Sequence, residues 1–160
     1  MFNKILVAIG DSAEAQAVVD AGLTLAEKFG AQMLLLHVIN PSTPTGFSPL
    51  VGGMFPIVND IALEQYAKEW KEYETLGIER LQTYAAQAKE RGVKVEVSQN
   101  FGDSGKMICE LAKNWSAEAI VMGRNQKSML SEIFLGSTSN YVVHHAPCSV
   151  MVIQLPALAT

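Results

Sequence analysis

Residues 120–153 read IVMGRNQKSMLSEIFLGSTSNYVVHHAPCSVMVI. An apolar run closes at Gly123, a polar loop occupies 124–135, and Gly136-Ser137-Thr138 opens a helical pattern that stops before Pro147. Another apolar run, 149–154, follows at once. Strand, helix and strand in this order is the unit of a parallel sheet, because parallel neighbours need a crossover connection.

The rest of the chain repeats the unit. Apolar runs occur at KILVAI (4–9), MLLLHVI (33–39), VKVEVS (93–98), EAIVMG (118–123) and SVMVIQ (149–154), with helical patterns between most of them. An α/β fold follows, with a parallel sheet covered on both faces. The first, second and fourth runs are continuously apolar, as strands buried on two sides are. VKVEVS alternates instead, with Val93, Val95 and Val97 on one face and Lys94 and Glu96 on the other, which marks an edge strand.

Asp11 followed by Glu14 has capping-box spacing and predicts a first helix from Asp11 or Ser12 to Gly30. A second helix is predicted from Asn59 or Asp60 to Arg91, with Leu63, Tyr66, Trp70, Tyr73, Leu81, Tyr84 and Ala88 along one face as core. Gly77 inside it predicts a bend or close packing. A third helix runs from Asp103 or Ser104 to about Trp115. Residues 40–58, rich in proline, glycine and large apolar side chains, form a long excursion that reads as a lid, a partner surface or a mobile loop.

The 160 residues suit a single domain, 1–160, of which 49% are apolar and 18% charged. A net charge of −4 without a basic stripe argues against nucleic-acid binding. The two cysteines, Cys109 and Cys148, lie far apart in sequence and have no neighbours of metal-ligand spacing, so a reducing compartment is expected. The opening MFNKILVAIGDSAE has no leader pattern, and no window approaches 18 apolar residues, so a cytoplasmic protein without a membrane span is expected.

No catalytic motif emerges. His37, inside a buried strand, reads as a hydrogen-bonded core imidazole, and His144 and His145 close a helix whose dipole favours positive charge. GDSGKM (102–107) lacks the upstream glycine of a phosphate loop, and Met107 stands where a hydroxyl would hold the metal. The ends of the first and fourth runs are more informative. In parallel sheets ligands sit beyond the C-terminal strand ends where the order reverses. Ile9-Gly10-Asp11 and Met122-Gly123 would meet there if those strands are neighbours. The helix opening at Gly136-Ser137-Thr138 offers N–H groups and a positive dipole end to an anion, Ser137 and Thr138 add hydroxyls, and Arg124 adds charge. The plainer alternative is that Ser137 caps a helix and Gly123 turns the chain.

At KILVAIGDS, LLLHVI, FGDSGKMICELAK, AEAIVMG, FLGSTSNYVVHHAPCSV and MVI the chain resembles the universal stress protein family over nearly its whole length. The family's nucleotide signature is Gly, two residues, Gly, nine residues, then Gly with Ser or Thr. Gly123 and Gly136-Ser137 take its outer positions, and Gln126 replaces the middle glycine. The resemblance implies a five-stranded sheet in the order 3-2-1-4-5 with helices on both faces, Rossmann-like or adenine nucleotide alpha hydrolase-like. It also implies a homodimer through Ser149–Gln154. ATP or another adenine nucleotide, with Mg²⁺ as its companion, would lie against Ala8, Gly10 and Val38 at the nucleoside and Met122, Gly123, Gly136, Ser137 and Thr138 at the phosphates. The family's Asp-Gly-Ser is Gly10-Asp11-Ser12 here, which moves the acid by one position. The expected function is a stress-response dimer with an adenine nucleotide as regulatory ligand, whose phosphates order the 123–138 loop for a protein partner. The rivals are a nucleotide-free partner-binding dimer and a slow ATP hydrolase, for which Asp11 and Glu132 are the nearby carboxylates.

Overall fold

Lys4–Ile9 (β1) is apolar on both faces, and its last five residues are buried because sheet neighbours and helices enclose it on every side. A computed structural model describes residues 1–40, 60–124 and 135–154. Around β1 it places Gln32–Ile39 (β2), Val95–Phe101 (β3), Ala119–Gly123 (β4) and Ser149–Ile153 (β5) in one parallel sheet ordered β3-β2-β1-β4-β5. This is the order the resemblance implied. Ala15–Phe29 (α1) and Asp60–Glu90 (α2) cover one face, and Ser104–Asn114 (α3) and Ser137–His145 (α4) the other. Val19, Leu23 and Leu81 close the first layer on Ile5, Val7 and Leu35, while Ile108, Ala112 and Val142 close the second on Leu6, Leu36 and Ile120.

Three local expectations change. First, α1 begins at Ala15 with Glu14 as its N-cap and no side-chain cap bond, so Asp11 and Ser12 do not start it. The Asp11 carboxylate has charged and hydroxyl partners elsewhere, which outcompete a backbone N–H. Second, β3 is an edge strand as expected but starts at Val95 and continues through Gln99 to Phe101. Third, only the C-terminal half of the α2 stripe is core. Leu81, Tyr84 and Ala88 are buried, whereas Leu63 is 54% exposed. Tyr66 and Trp70 are half-buried, and Trp70 stacks on Phe101 at 5.7 Å between ring centroids. The reason is length: a 31-residue helix spans about 46 Å, well beyond a strand of five to eight residues at about 3.3 Å each. The excess of α2 therefore overhangs the C-terminal strand ends. Asp103 caps α3 by accepting from Lys106 N at 3.0 Å, which is why GDSGKM is a helix start and not a phosphate loop. The 40–58 excursion beyond Asn40, Gln126 and Glu132 lie outside the described residues.

Candidate functional site

β1 and β4 are hydrogen-bonded neighbours, with Ala8 opposite Met122, so the two loops leaving them start side by side. β2 leaves β1 on one side and β5 leaves β4 on the other, which makes the gap beyond β1 and β4 the point where the order reverses. Ala8 and Met122 are buried and Val38 half-buried, all three in the layer of α3 and α4. They form an apolar floor. Gly123 ends β4, and Arg124 N continues the ladder by donating to Ile153 O at 3.0 Å.

The first turn of α4 is fixed on this floor. Ser139, buried, donates from its hydroxyl to Gly123 O at 3.3 Å. The N-cap of α4 is Gly136, at φ 80° and ψ 155°, a conformation open almost only to glycine. It carries no side-chain cap, so among the described residues no side chain accepts from the leading N–H groups of α4. Ser137 is thus the first helical residue and not a cap. Its side chain is exposed, and Thr138 is half-buried. An open helix N-terminus held against a strand end binds anions through unpaired N–H donors and the dipole.

Asp11 goes elsewhere. Its Oδ1 takes His37 Nε2 at 2.8 Å and faces Arg80 Nη1 at 3.4 Å, and its Oδ2 accepts from the Tyr73 hydroxyl at 2.5 Å. His37, 1% exposed, meets Gln99 Oε1 at 2.9 Å through Nδ1. Gln99 in turn donates to the Glu74 carbonyl at 3.0 Å. These groups lie in the layer of α2, opposite the layer that holds Ala8, Val38 and Met122. The hydrogen bond from His37 is the chief cause that, against partial burial, holds Asp11 at about 2, helped by Tyr73 and by the charges of His37 and Arg80. Burial alone would lower the His37 pKa, but its bonds to Asp11 and Gln99 outweigh that and raise it. Tyr73 is pushed upward by burial and then by the Asp11 carboxylate.

Of the residues expected at the site, Ala8, Val38 and Met122 share one layer. Gly123 is tied through Ser139 to the helix that Gly136 caps and Ser137 and Thr138 begin. Arg124 follows Gly123 and Gly10 follows β1, while Asp11 is turned toward α2. His37 is the buried, hydrogen-bonded imidazole its strand position predicts, whereas nothing in the local sequence marks Arg80 or Gln99, and Tyr73, expected in the core, joins this polar cluster instead. A signal was present in Gly77. Tyr73, Gly77 and Arg80 share one helix face, and a Cβ at residue 77 would overlap Gln99 Oε1 and stand 3.0 Å from His37 Nδ1. A cleft of about 540 Å³ beside Gly30 and Gly92 lies at the other end of the sheet. Two helices end there, and their carbonyl ends disfavour phosphate. Burial raises the pKa of the half-buried thiols of Cys109 and Cys148, which favours the protonated form of both. Among the described residues no helix is long and apolar enough to cross a membrane, and no group of three or more His, Cys, Asp or Glu is placed to hold a metal.

Residues 1–154 match the family described as the universal stress protein family. The chain is 33% identical over 161 residues to Universal stress protein Sll1388 of Synechocystis, covering 96% of this chain and 98% of that one. Its fold is similar to that of a universal stress protein family protein from Arabidopsis thaliana with AMP bound, at TM-score 0.66 and 21% identity over 97% of this chain and 93% of that one. It is also similar to a universal stress protein in complex with cAMP, at TM-score 0.62 and 18% identity over 96% and 97% of the two chains.

Proposed function

This chain belongs to the universal stress protein family, and from that premise we propose that it binds an adenine nucleotide as a regulatory ligand at the β1–β4 switch point, within a homodimer joined through β5. The observation that carries the ligand is the start of α4: a helix N-terminus with no side-chain cap among the described residues, begun by a glycine-only conformation and tied by Ser139 to the end of β4. Its N–H groups and the Ser137 hydroxyl would receive phosphate oxygens. Ala8, Val38 and Met122 would pack against the nucleoside. The AMP and cAMP held by proteins of the same fold support an adenine ligand. Mg²⁺ would arrive with the nucleotide and screen phosphate charge. Asp11 offers no catalytic base in this arrangement, because both its oxygens are engaged and it is held at about 2.

The dimer reading rests on β5. It ends the sheet, packs Val150 and Val152 on one core and Ile153 on the other, and shows no further strand on its outer edge among the described residues. Met151 is 43% exposed there. An apolar edge of this kind calls for a partner strand, and a second copy supplies one with two-fold symmetry. The half-buried, unpaired thiols support a cytoplasmic setting. A second reading, a dimer that binds protein partners without nucleotide, is favoured by one observation: the β1-loop carboxylate faces α2 instead of the cleft.

Thermal unfolding of nucleotide-stripped protein against ATP, ADP, AMP and GTP decides between them. Ligand at about 100 times its Kd stabilises by ~2.7 kcal/mol, and the midpoint should rise by roughly 5–10 °C with adenine nucleotides only. No rise with any nucleotide at millimolar concentration, in folded dimer, leaves the nucleotide-free reading.

A further inference from the structure

The polarity of one hydrogen-bond chain fixes the charge of its central residue. The chain begins at the Glu74 carbonyl of α2, which can only accept. Gln99 Nε2 lies 3.0 Å from it, so the amide presents its NH₂ to α2 and its oxygen to His37. Turning the amide over would set oxygen against oxygen. Gln99 Oε1 stands 2.9 Å from His37 Nδ1, which must then carry a hydrogen. On the other side of the ring, Nε2 stands 2.8 Å from Asp11 Oδ1. Asp11 also accepts from Tyr73 and faces Arg80, an environment that keeps it ionised. Nε2 therefore donates as well. An imidazole that donates from both nitrogens is an imidazolium.

The titratable and charged groups facing His37 are Asp11 from the turn after β1 and Tyr73 and Arg80 from α2. β3 supplies the uncharged Gln99, and β1 supplies Ile9, its partner in register. Gly77 lets α2 approach closely enough for the chain of bonds to close.

We infer that His37 is a positioning residue of the nucleotide site: as an imidazolium shared between Asp11 and Gln99, it turns the Asp11 carboxylate onto α2 and away from the phosphates, so that nucleotide affinity falls when His37 loses its proton. The inference rests on the nucleotide reading above. Asp11 follows Gly10 at the end of β1, the strand beside β4 and its terminal Gly123. A carboxylate released there would stand near a polyanion. As built, the His37–Asp11 pair is neutral, and Arg80, 3.4 Å from both Asp11 Oδ1 and the Gly10 carbonyl, adds a positive charge beside the end of β1. A neutral imidazole keeps one N–H, so a lone pair must face either Asp11 or Gln99, and one bond of the chain breaks. In both cases the charge of Asp11 loses its compensating partner. The direction of the His37 shift, upward despite burial, puts this transition above the ordinary pKa of about 6.5.

The test uses the whole chain labelled with ¹⁵N-histidine, and ATP as the probe. Imidazole nitrogen shifts from pH 5 to 10 report protonation, with His37→Gln assigning the signal against His144 and His145. ATP affinity is measured by calorimetry from pH 7.5 upward, where the terminal phosphate, with a pKa near 6, has finished titrating. Both His37 nitrogens should be protonated at pH 7. Affinity should fall about fivefold across the His37 titration, the size expected for one extra charge roughly 10 Å from a polyphosphate in a water-like dielectric. Gln99→Leu should move both midpoints to lower pH, and Asp11→Asn should flatten the affinity profile. A single neutral tautomer at pH 7, or good binding that ignores the His37 titration, overturns the inference alone. ATP binding at no pH overturns the nucleotide reading and takes the coupling with it.

Discussion

Gly77 sets local preference against tertiary packing, and one methyl group exposes the conflict. Alanine at 77 favours an isolated helix by about 1 kcal/mol. In the fold that methyl group would overlap Gln99 Oε1 and stand 3.0 Å from His37 Nδ1. The Gln99 amide ends a flexible side chain and can swing away, but it then gives up its bonds to His37 and to the Glu74 carbonyl. A bond to a charged partner contributes about 1.5–3 kcal/mol and a neutral one about 1 kcal/mol. After subtracting the helix-propensity gain, Gly77→Ala should destabilise by about 2 kcal/mol, or roughly 4–8 °C in the midpoint for a chain of this size. The assay is urea unfolding at pH 6 of wild type, Gly77→Ala, Gln99→Ala and the double variant. In the Gln99→Ala background the larger obstacle is gone, and the cost of the methyl group should shrink to near zero. A Gly77→Ala protein as stable as wild type, or more stable, would refute the reasoning, because propensity would then have outweighed the cluster.

Asp11 is held at about 2 against an ordinary 3.8, so its contribution is present above pH 4 and lost as pH falls through about 2. His37, shifted upward, contributes in the opposite sense, fully below pH 6.5 and no longer above its raised value. Because Asp11 is half exposed, screening reduces its nominal contribution to about 1 kcal/mol; Asp11→Asn should lose that much at pH 5–6 and flatten the acid side of a plot of urea midpoint against pH. Gly136→Ala forces a side chain into φ 80°, ψ 155° and should cost about 1–3 kcal/mol by urea unfolding while weakening AMP at least tenfold in calorimetry; unchanged affinity would detach the α4 start from the ligand. Met151→Lys places a charge on the outer edge of β5 at a 43% exposed position, so light scattering should report a monomer with an unchanged circular dichroism spectrum, and a persistent dimer would move the interface elsewhere.

Much of this was legible in the chain itself. Period and punctuation announced each described element, because they act within a few residues, although they misplaced the start of α1 and both ends of β3. The apolar runs became β1, β2, β4 and β5 nearly to the residue, and Asp103 caps α3 as its position predicts. Even the edge placement of β3 was readable from the alternation of Val95, Glu96 and Val97. The frame of the ligand site was legible too, since Gly123 and Gly136 mark a strand end and a helix start.

Tertiary structure alone decided which partners Asp11 and Gln99 take. Asp11 looked like a helix cap because its local options were backbone N–H groups. The fold offered it His37, 26 positions away, and Tyr73, 62 positions away, and a cation and a phenol bind a carboxylate more strongly than a neutral amide does. The same holds for Gln99, whose role comes from standing opposite His37 in the β2–β3 register with Gly77 closing over both. Hydrogen-bond partners of this kind are set by register and helix placement, which no local window of sequence contains.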